Sequence, residues 1–369
     1  MTIDLSGYHT QKSKHRLTSI ALPEFESRPS HLPTGSESSL PSSPKKGYRV
    51  RRAHYDDRDE IYELLLPFFA ANKLLERSPS EILLLMATGF VAEAIGAEPD
   101  AGGVTDPNDT PIIGFASVEI YSKKLGEIQC LAVAPDFAGT EIQTELVREC
   151  VELARAKGVM EVMAISSSDE FLRVLGFDYS LPEQKRALFY EVEDLVDPES
   201  VISSAEAEQA GVVIKPLNGY KIRRARFDEQ DAIAQFLTPF FAQKKLLQRT
   251  RSEILLLMAT GFVAEVLAEA SADRPPTIIG FASVEIYSEK MSEIQCLAVS
   301  EQHQGKGLGS ALVRACLELA KQKGIVEVMA ISSSDAFLQK LGFEYSLPEQ
   351  KRALFYQLRS RADVFNRDE

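Results

Sequence analysis

The chain has no tryptophan, only five histidines and only four cysteines in 369 residues, and these scarcities narrow what it can be. The cysteines, Cys130, Cys150, Cys296 and Cys316, occupy two positions of an internal repeat and show no CxxC spacing. They therefore offer neither a disulfide framework nor a thiolate metal site, and a reducing compartment with no metal is expected. No apolar run approaches the ~20 residues that a bilayer-spanning helix needs, so no membrane partner is expected. Positive charge is also in deficit, with 41 Lys and Arg against 54 Asp and Glu and a net charge of −13. Nucleic-acid phosphates require a basic face, so no nucleic-acid partner is expected. An anionic ligand would have to be drawn by a local cluster of cations, because the overall field repels it.

The chain does contain itself. Ser80 to Glu93 (SEILLLMATGFVAE) recurs letter for letter at Ser252 to Glu265, Ile112 to Ser122 at Ile278 to Ser288, and Leu181 to Tyr190 (LPEQKRALFY) at Leu347 to Tyr356. The offset is 172 residues for the first block and 166 for the other two, so six extra residues of the first copy fall between Gly96 and Thr110. Each copy has the length of an ordinary domain and is expected to bury its own core. Residues 1–47 are rich in Ser and Pro and read as a disordered tail. Residues 48–194 and 219–361 are the two copies, 195–218 an acidic linker and 362–369 a C-terminal tail. Asp4, Glu24 and Glu26 weigh against an organelle transit peptide, so a cytoplasmic location is expected, with organelle import left open.

Hydrophobic periodicity in the second copy predicts strands at 220–224, 261–266, 277–287, 293–299, 326–332 and 352–358, with helices at 229–243, 252–258, 309–323 and 335–341. A mixed sheet with helices on both faces follows, an α/β (α+β) architecture repeated in tandem.

The most informative segment is Val299 to Leu312, V-S-E-Q-H-Q-G-K-G-L-G-S-A-L, which turns from an apolar strand through Gly305, Gly307 and Gly309 into an apolar helix. Such a turn leaves several backbone N–H groups unpaired at the positive end of the helix dipole, where an anion is welcome. Glycines admit positive φ and keep side chains out of the anion's approach. The first copy departs here: Ala138 replaces Gln304, Glu141 replaces Gly307 and Gln143 replaces Gly309. Glu141 also suits the first turn of a helix as a favourable acid. Against a bound anion, however, two like charges at about 4 Å repel by roughly 4 kcal/mol at an effective dielectric near 20. The first copy is therefore expected to have lost the anion site.

The order Gln304-x-x-Gly307-x-Gly309, between that strand and that helix, resembles the coenzyme A pyrophosphate loop of the GNAT superfamily of N-acetyltransferases. The element order of each copy resembles the fold of that superfamily from end to end. Within it, the second copy is most similar to the acetyltransferase domain of N-acetylglutamate synthases. The similarity is carried by Ile222-Arg223-Arg224-Ala225, by Arg249-Thr250-Arg251-Ser252-Glu253, by Ser292 to Val299 (SEIQCLAV) and by the closing Leu347 to Arg361 (LPEQKRALFYQLRSR). Departures are Leu354-Phe355-Tyr356 for the family's L-Y-N, Leu358 for its first closing Arg, and Ser332 to Asp335 for its T-T-R-T.

The resemblance implies two GNAT-like domains, mostly antiparallel, packed as an intramolecular pseudo-dimer, with the first degenerate and the second catalytic. It implies acetyl-CoA as co-substrate, held by Leu297, Ala298, Val299, Gln304, Gly305, Lys306, Gly307, Leu308, Gly309 and Ser310. It implies a small amino acid as acceptor, best L-glutamate, held by Arg249, Arg251, Cys296, Arg359 and Ser360, because Arg forks bind carboxylates bidentately. Glu293 is the candidate general base. Where most of the superfamily place a Tyr, four residues before Gly342-Phe343, this chain has Leu338; Tyr356, then Tyr345, are the remaining candidates to protonate the thiolate. Acetylation of a protein or another small amine, and a non-catalytic acyl-CoA or amino-acid sensor, stay open as alternatives.

Overall fold

The computed structural model describes residues 47–95, 110–192, 217, 219–267 and 277–359. The N-terminal tail, the inserted stretch, the linker apart from Leu217, Ser360 and the C-terminal tail lie outside them.

The first copy runs β1 (Gly47–Arg52), α1 (Arg58–Ala70), α2 (Pro79–Met86), β2 (Gly89–Ile95), β3 (Ile112–Ile120), β4 (Leu125–Val133), α3 (Ile142–Ala156), β5 (Glu161–Ser166), α4 (Glu170–Val174) and β6 (Arg186–Glu191). The second repeats this order as β7 (Tyr220–Arg224), α5 (Gln230–Ala242), α6 (Arg251–Met258), β8 (Gly261–Val266), β9 (Ile278–Ile286), β10 (Met291–Val299), α7 (Leu308–Gln322), β11 (Glu327–Ser332), α8 (Asp335–Gln339) and β12 (Arg352–Gln357). These bounds agree with the periodicity to within two residues at each end. Local chemistry sets them. Thr250 caps α6 by accepting from the Glu253 N–H, while the Glu253 carboxylate accepts from the Thr250 N–H, a reciprocal pair that satisfies two otherwise orphaned donors.

Helices cover both faces of the sheet. On one face, Ile142, Leu146 and Cys150 of α3 pack on β2 to β4, and Leu308, Leu312 and Cys316 of α7 do the same on β8 to β10. On the other, Ile61 and Leu65 of α1 pack with Phe115, and Ile233 and Leu237 of α5 pack with Phe281. Each fully buried Leu or Phe contributes about 1.5–3 kcal/mol of transfer free energy.

All twelve strands form one sheet, in the order β1-β2-β3-β4-β5-β12-β6-β11-β10-β9-β8-β7. The order departs from that of two self-contained copies at β6 and β12, because the last strands are exchanged. Tyr356 of β12 pairs with Val162 of β5, and Tyr190 of β6 pairs with Val328 of β11. Leu354 is buried in the first copy's core and Leu188 in the second's. Sequence could not reveal this. The segments Leu181 to Tyr190 and Leu347 to Tyr356 are identical, so either strand presents the same side chains and ladder groups to either sheet.

Around the exchange the copies interlock. Tyr121, Leu125, Tyr287 and Met291, from the two β-hairpins, share one cluster with Phe189 and Ala353. Lys124 of the first copy pairs with Glu285 of the second, and Lys290 of the second with Glu119 of the first.

Leu188→Ala should cost about 2–5 kcal/mol, as buried Leu truncations do. Although Leu188 belongs to the first copy's chain, hydrogen exchange should accelerate in β8 to β11 ahead of β2 to β5; the reverse order would contradict the exchanged topology.

Candidate functional site

Strand β10 pairs in parallel with β11 only from Met291 to Glu293, the last register being Glu293 with Met329. Two residues later its register against β9 shifts between Gln295 and Ala298, and Cys296 stands there at φ 54°. A non-glycine residue in the left-handed region marks a bulge, which bends a strand and breaks its ladder. Residues 294–299 therefore have no ladder partner on the β11 side, and a slot opens between the two strands. Leu297, Ala298 and Val299 border it, where a backbone N–H can meet a carbonyl oxygen that gains charge in a transition state.

Glu293 stands where the strands part. It is nine-tenths buried, and its Oε2 accepts a 2.6 Å hydrogen bond from the Tyr287 hydroxyl. Burial pushes its carboxyl up to about 7, aided by the nearby Glu285 and Glu161 carboxylates and opposed by the Tyr287 hydrogen bond and the Arg249 guanidinium. That value suits proton removal near neutrality. Arg249, also buried, donates from Nη2 to Gln295 Oε1 at 2.6 Å and pairs through Nη1 with Glu253 at 3.4 Å. The Cys296 thiol sits beside Arg249, and burial pushes it up to about 11, so it stays protonated and inert. Glu293, Gln295, Tyr287 and Arg249 thus form one buried polar array beside the slot. Gln295 and Tyr287 were not singled out from sequence. The signal was available: Glu293 and Gln295 are two polar residues at strand period in an otherwise apolar run.

At the end of β10 the glycine loop takes the expected form. Gln304 Nε2 donates to the Val299 carbonyl at 3.2 Å, holding the loop to the strand. Gly305 and Gly307 stand at φ 75° and 83°, and Gly307 caps α7. No heavy atom lies within 4 Å of a Cβ built on Gly305, so backbone conformation, not crowding within the chain, calls for glycine. The first helical hydrogen bond of α7 runs from Ala311 N–H to the Gly307 carbonyl, which leaves the N–H groups of Leu308, Gly309 and Ser310 without helical acceptors. Lys306 lies 5.8 Å from the Tyr220 ring centroid, at the rim.

In the first copy Gly139 keeps a positive φ of 75°, but Glu141 takes up the right-handed region at φ −71° where Gly307 is left-handed. A second acid, Glu145, occupies the site of Ala311 and accepts a 2.9 Å hydrogen bond from the Tyr48 hydroxyl. Burial and the Glu145 and Glu141 charges push Tyr48 up to about 12. Glu127, the counterpart of Glu293, is completely buried and pushed well above the carboxylate range, and its Oε1 has no hydrogen-bond partner among the described residues.

Other candidates lie elsewhere. The exchange carries Tyr356 into the first copy's half, with its ring edge-on to Phe177 at 5.3 Å. Tyr190 replaces it beside Phe343, 5.5 Å between ring centroids. The Tyr345 hydroxyl donates to Asp335 at 2.7 Å, and Leu338 is buried in the core. Arg251 is exposed and pairs with Asp231 on the surface. The Arg359 N–H donates to the Met160 carbonyl at 3.1 Å, in the first copy's half, and Ser360 is not among the described residues. The structure thus gathers Glu293, Arg249, Cys296, the strand end and the loop in one half, and leaves Tyr356, Arg251 and Arg359 outside that group. No group of residues suited to a metal occurs among the described residues, and no described helix is long and apolar enough to cross a membrane.

The sequence model of the acetyltransferase (GNAT) family matches twice, at residues 58–177 and 232–343, together more than half of the chain. An uncharacterized N-acetyltransferase of Chlorobaculum tepidum is 25% identical over 123 residues, 33% of this chain and 74% of that protein. An amino-acid acetyltransferase of Pasteurella multocida is 29% identical over 147 residues, 38% of this chain and 32% of its own length. The chain thus spans about a third of the amino-acid acetyltransferase it matches. A GCN5-related N-acetyltransferase from Sphaerobacter thermophilus aligns over 85% of this chain and 96% of its own, at 15% identity and a TM-score of 0.44. Two family matches, each spanning a strand that parts from its neighbour, make this chain a member of the acetyltransferase (GNAT) family, an acetyl-transferring enzyme with acetyl-CoA as co-substrate.

Proposed function

We propose that the second copy transfers acetyl from acetyl-CoA to the amine of an amino acid, with L-glutamate as the first acceptor to test, and that the first copy is a scaffold or regulatory half of an intramolecular pseudo-dimer. One observation carries this reading. Only the second copy joins an acid-free glycine loop to a buried carboxyl set at about 7, whereas the first has Glu141 and Glu145 at the loop and a fully enclosed Glu127 whose carboxyl burial pushes well above the usual range. The division into a degenerate domain at residues 48–194 and a catalytic one at residues 219–361 is part of the same proposal.

The pyrophosphate sits on the N–H groups from Gly305 to Ser310, with Lys306 as an outer cation. The thioester then lies in the slot beside Leu297 to Val299. Glu293, as carboxylate, removes a proton from the acceptor ammonium, directly or through a water. The freed amine attacks the thioester carbonyl, a backbone N–H of the slot holds the oxyanion, and the C–S bond breaks. As the intermediate collapses the nitrogen gives up its second proton and the departing thiolate takes one up, a relay for which the exchanged strand supplies the Tyr190 hydroxyl in place of Tyr356. Arg249 faces the acceptor carboxylate. The relatives named amino-acid acetyltransferases support this acceptor class. The position of Arg359, beside Met160 in the other half, favours a second reading in which another small amine or a protein amine is the acceptor.

Gly307→Glu should abolish coenzyme A binding and thiol release with glutamate while the fold, followed by circular dichroism, stays intact. Retained turnover would sink the assignment of the loop. The rate at saturating acetyl-CoA should rise with pH through about 7, because the base works deprotonated, and Glu293→Gln should flatten that limb. Tyr287→Phe removes a hydrogen bond to the charged form, so the midpoint should move upward; a downward shift would contradict the role given to this pair.

A further inference from the structure

The copy with the acidic loop keeps a cleft of about 350 Å³ on its α2 face, half-open to solvent. Arg77 forms one wall and is nine-tenths buried or more. Its Nη2 reaches Gln129 Oε1 at 3.3 Å, its Nη1 lies 3.6 Å from Glu81, and its Nε has no hydrogen-bond partner among the described residues. Lys157 lies on the rim, and Leu85 and Ile120 contribute apolar surface. The remaining cation, Lys290, comes from the other copy, where it sits in the turn between β9 and β10 and pairs with Glu119.

All nine residues that line this cleft have the identical residue at the matching position of the other copy, Arg249 for Arg77, Glu285 for Glu119, Lys323 for Lys157 and Lys124 for Lys290 among them. The coenzyme A loop has diverged between the copies, and this cleft has not. A mere scaffold has no use for a buried guanidinium with an unmet donor, which costs free energy unless something answers it.

We infer that the first copy's cleft is a non-catalytic binding site for the same class of ligand as the acceptor, a carboxylate-bearing α-amino acid. The ligand's carboxylate answers Arg77 and Lys157, and its ammonium answers Glu119. This inference rests on the amino-acid acceptor reading above. It adds a path of regulation: a ligand that engages Glu119 competes for its ion pair with Lys290, in the turn that leads into β10 and Glu293. Coupling between the two clefts must then be reciprocal for binding.

The test is calorimetric titration of the full chain, without coenzyme A, using L-glutamate, L-aspartate and L-lysine as probes. Two sites per chain are expected for one of the carboxylate-bearing probes. Arg77→Met should remove one and leave the other, Arg249→Met the reverse, and the exposed Lys157→Glu should weaken the Arg77 site several-fold without a change in melting temperature. One site per chain, lost in Arg249→Met and intact in both Arg77→Met and Lys157→Glu, would overturn the inference while leaving the acceptor reading in place. No binding of any probe, alongside acetylation of a different amine, would overturn both.

Discussion

The candidate site of this chain depends on one break in a β-ladder, the point after Glu293 where β10 leaves β11. The left-handed Cys296 enforces it by bulging the strand against β9. The break has two consequences at once. It exposes a short run of backbone next to the glycine loop, and it leaves Glu293 at the closed end of the slot, where burial and two neighbouring carboxylates hold its proton affinity near neutrality. The first copy has the same break, with Cys130 at φ 52° and β4 pairing with β5 only as far as Glu127. The break therefore makes a slot in each copy and does not distinguish them.

What distinguishes the copies is electrostatic. At the start of α7 a dipole and several free N–H groups meet no acid from Gly305 to Ala311, whereas at the start of α3 Glu141 and Glu145 bring carboxylates to the place an anion would take. The buried acids also differ: Glu127 is fully enclosed and burial pushes its carboxyl well above the usual range, whereas Glu293 is nearer the surface and is pushed up to about 7. On the proposed reading, one half was released from handling coenzyme A and kept its amino-acid cleft. The exchanged strands and the crossed pairs Lys124 with Glu285 and Lys290 with Glu119 tie the two halves together.

Much of this was legible in the residues. The glycine spacing at Gly305, Gly307 and Gly309 pointed to the left-handed turn that opens α7, and the letter-for-letter blocks to two copies with the same element order. Glu293 and Arg249 also came together as read. The exchange of β6 and β12 was not legible, because identical segments carry no information about which sheet receives them. Tyr356 and Arg359 went with that exchange, since a residue at the end of a swapped strand lies far from the neighbours its own copy supplies. Arg251 failed for a different reason: its position at the start of α6 points it to solvent, where Asp231 meets it, while Arg249 two residues earlier turns inward to Gln295.

The central claim is that the duplicated fold retains one co-substrate site. Calorimetric titration of the purified full chain with coenzyme A measures this directly. The account predicts one molecule bound per chain; two per chain would show that Glu141 and Glu145 do not close the first loop, and none would contradict the assignment of the second.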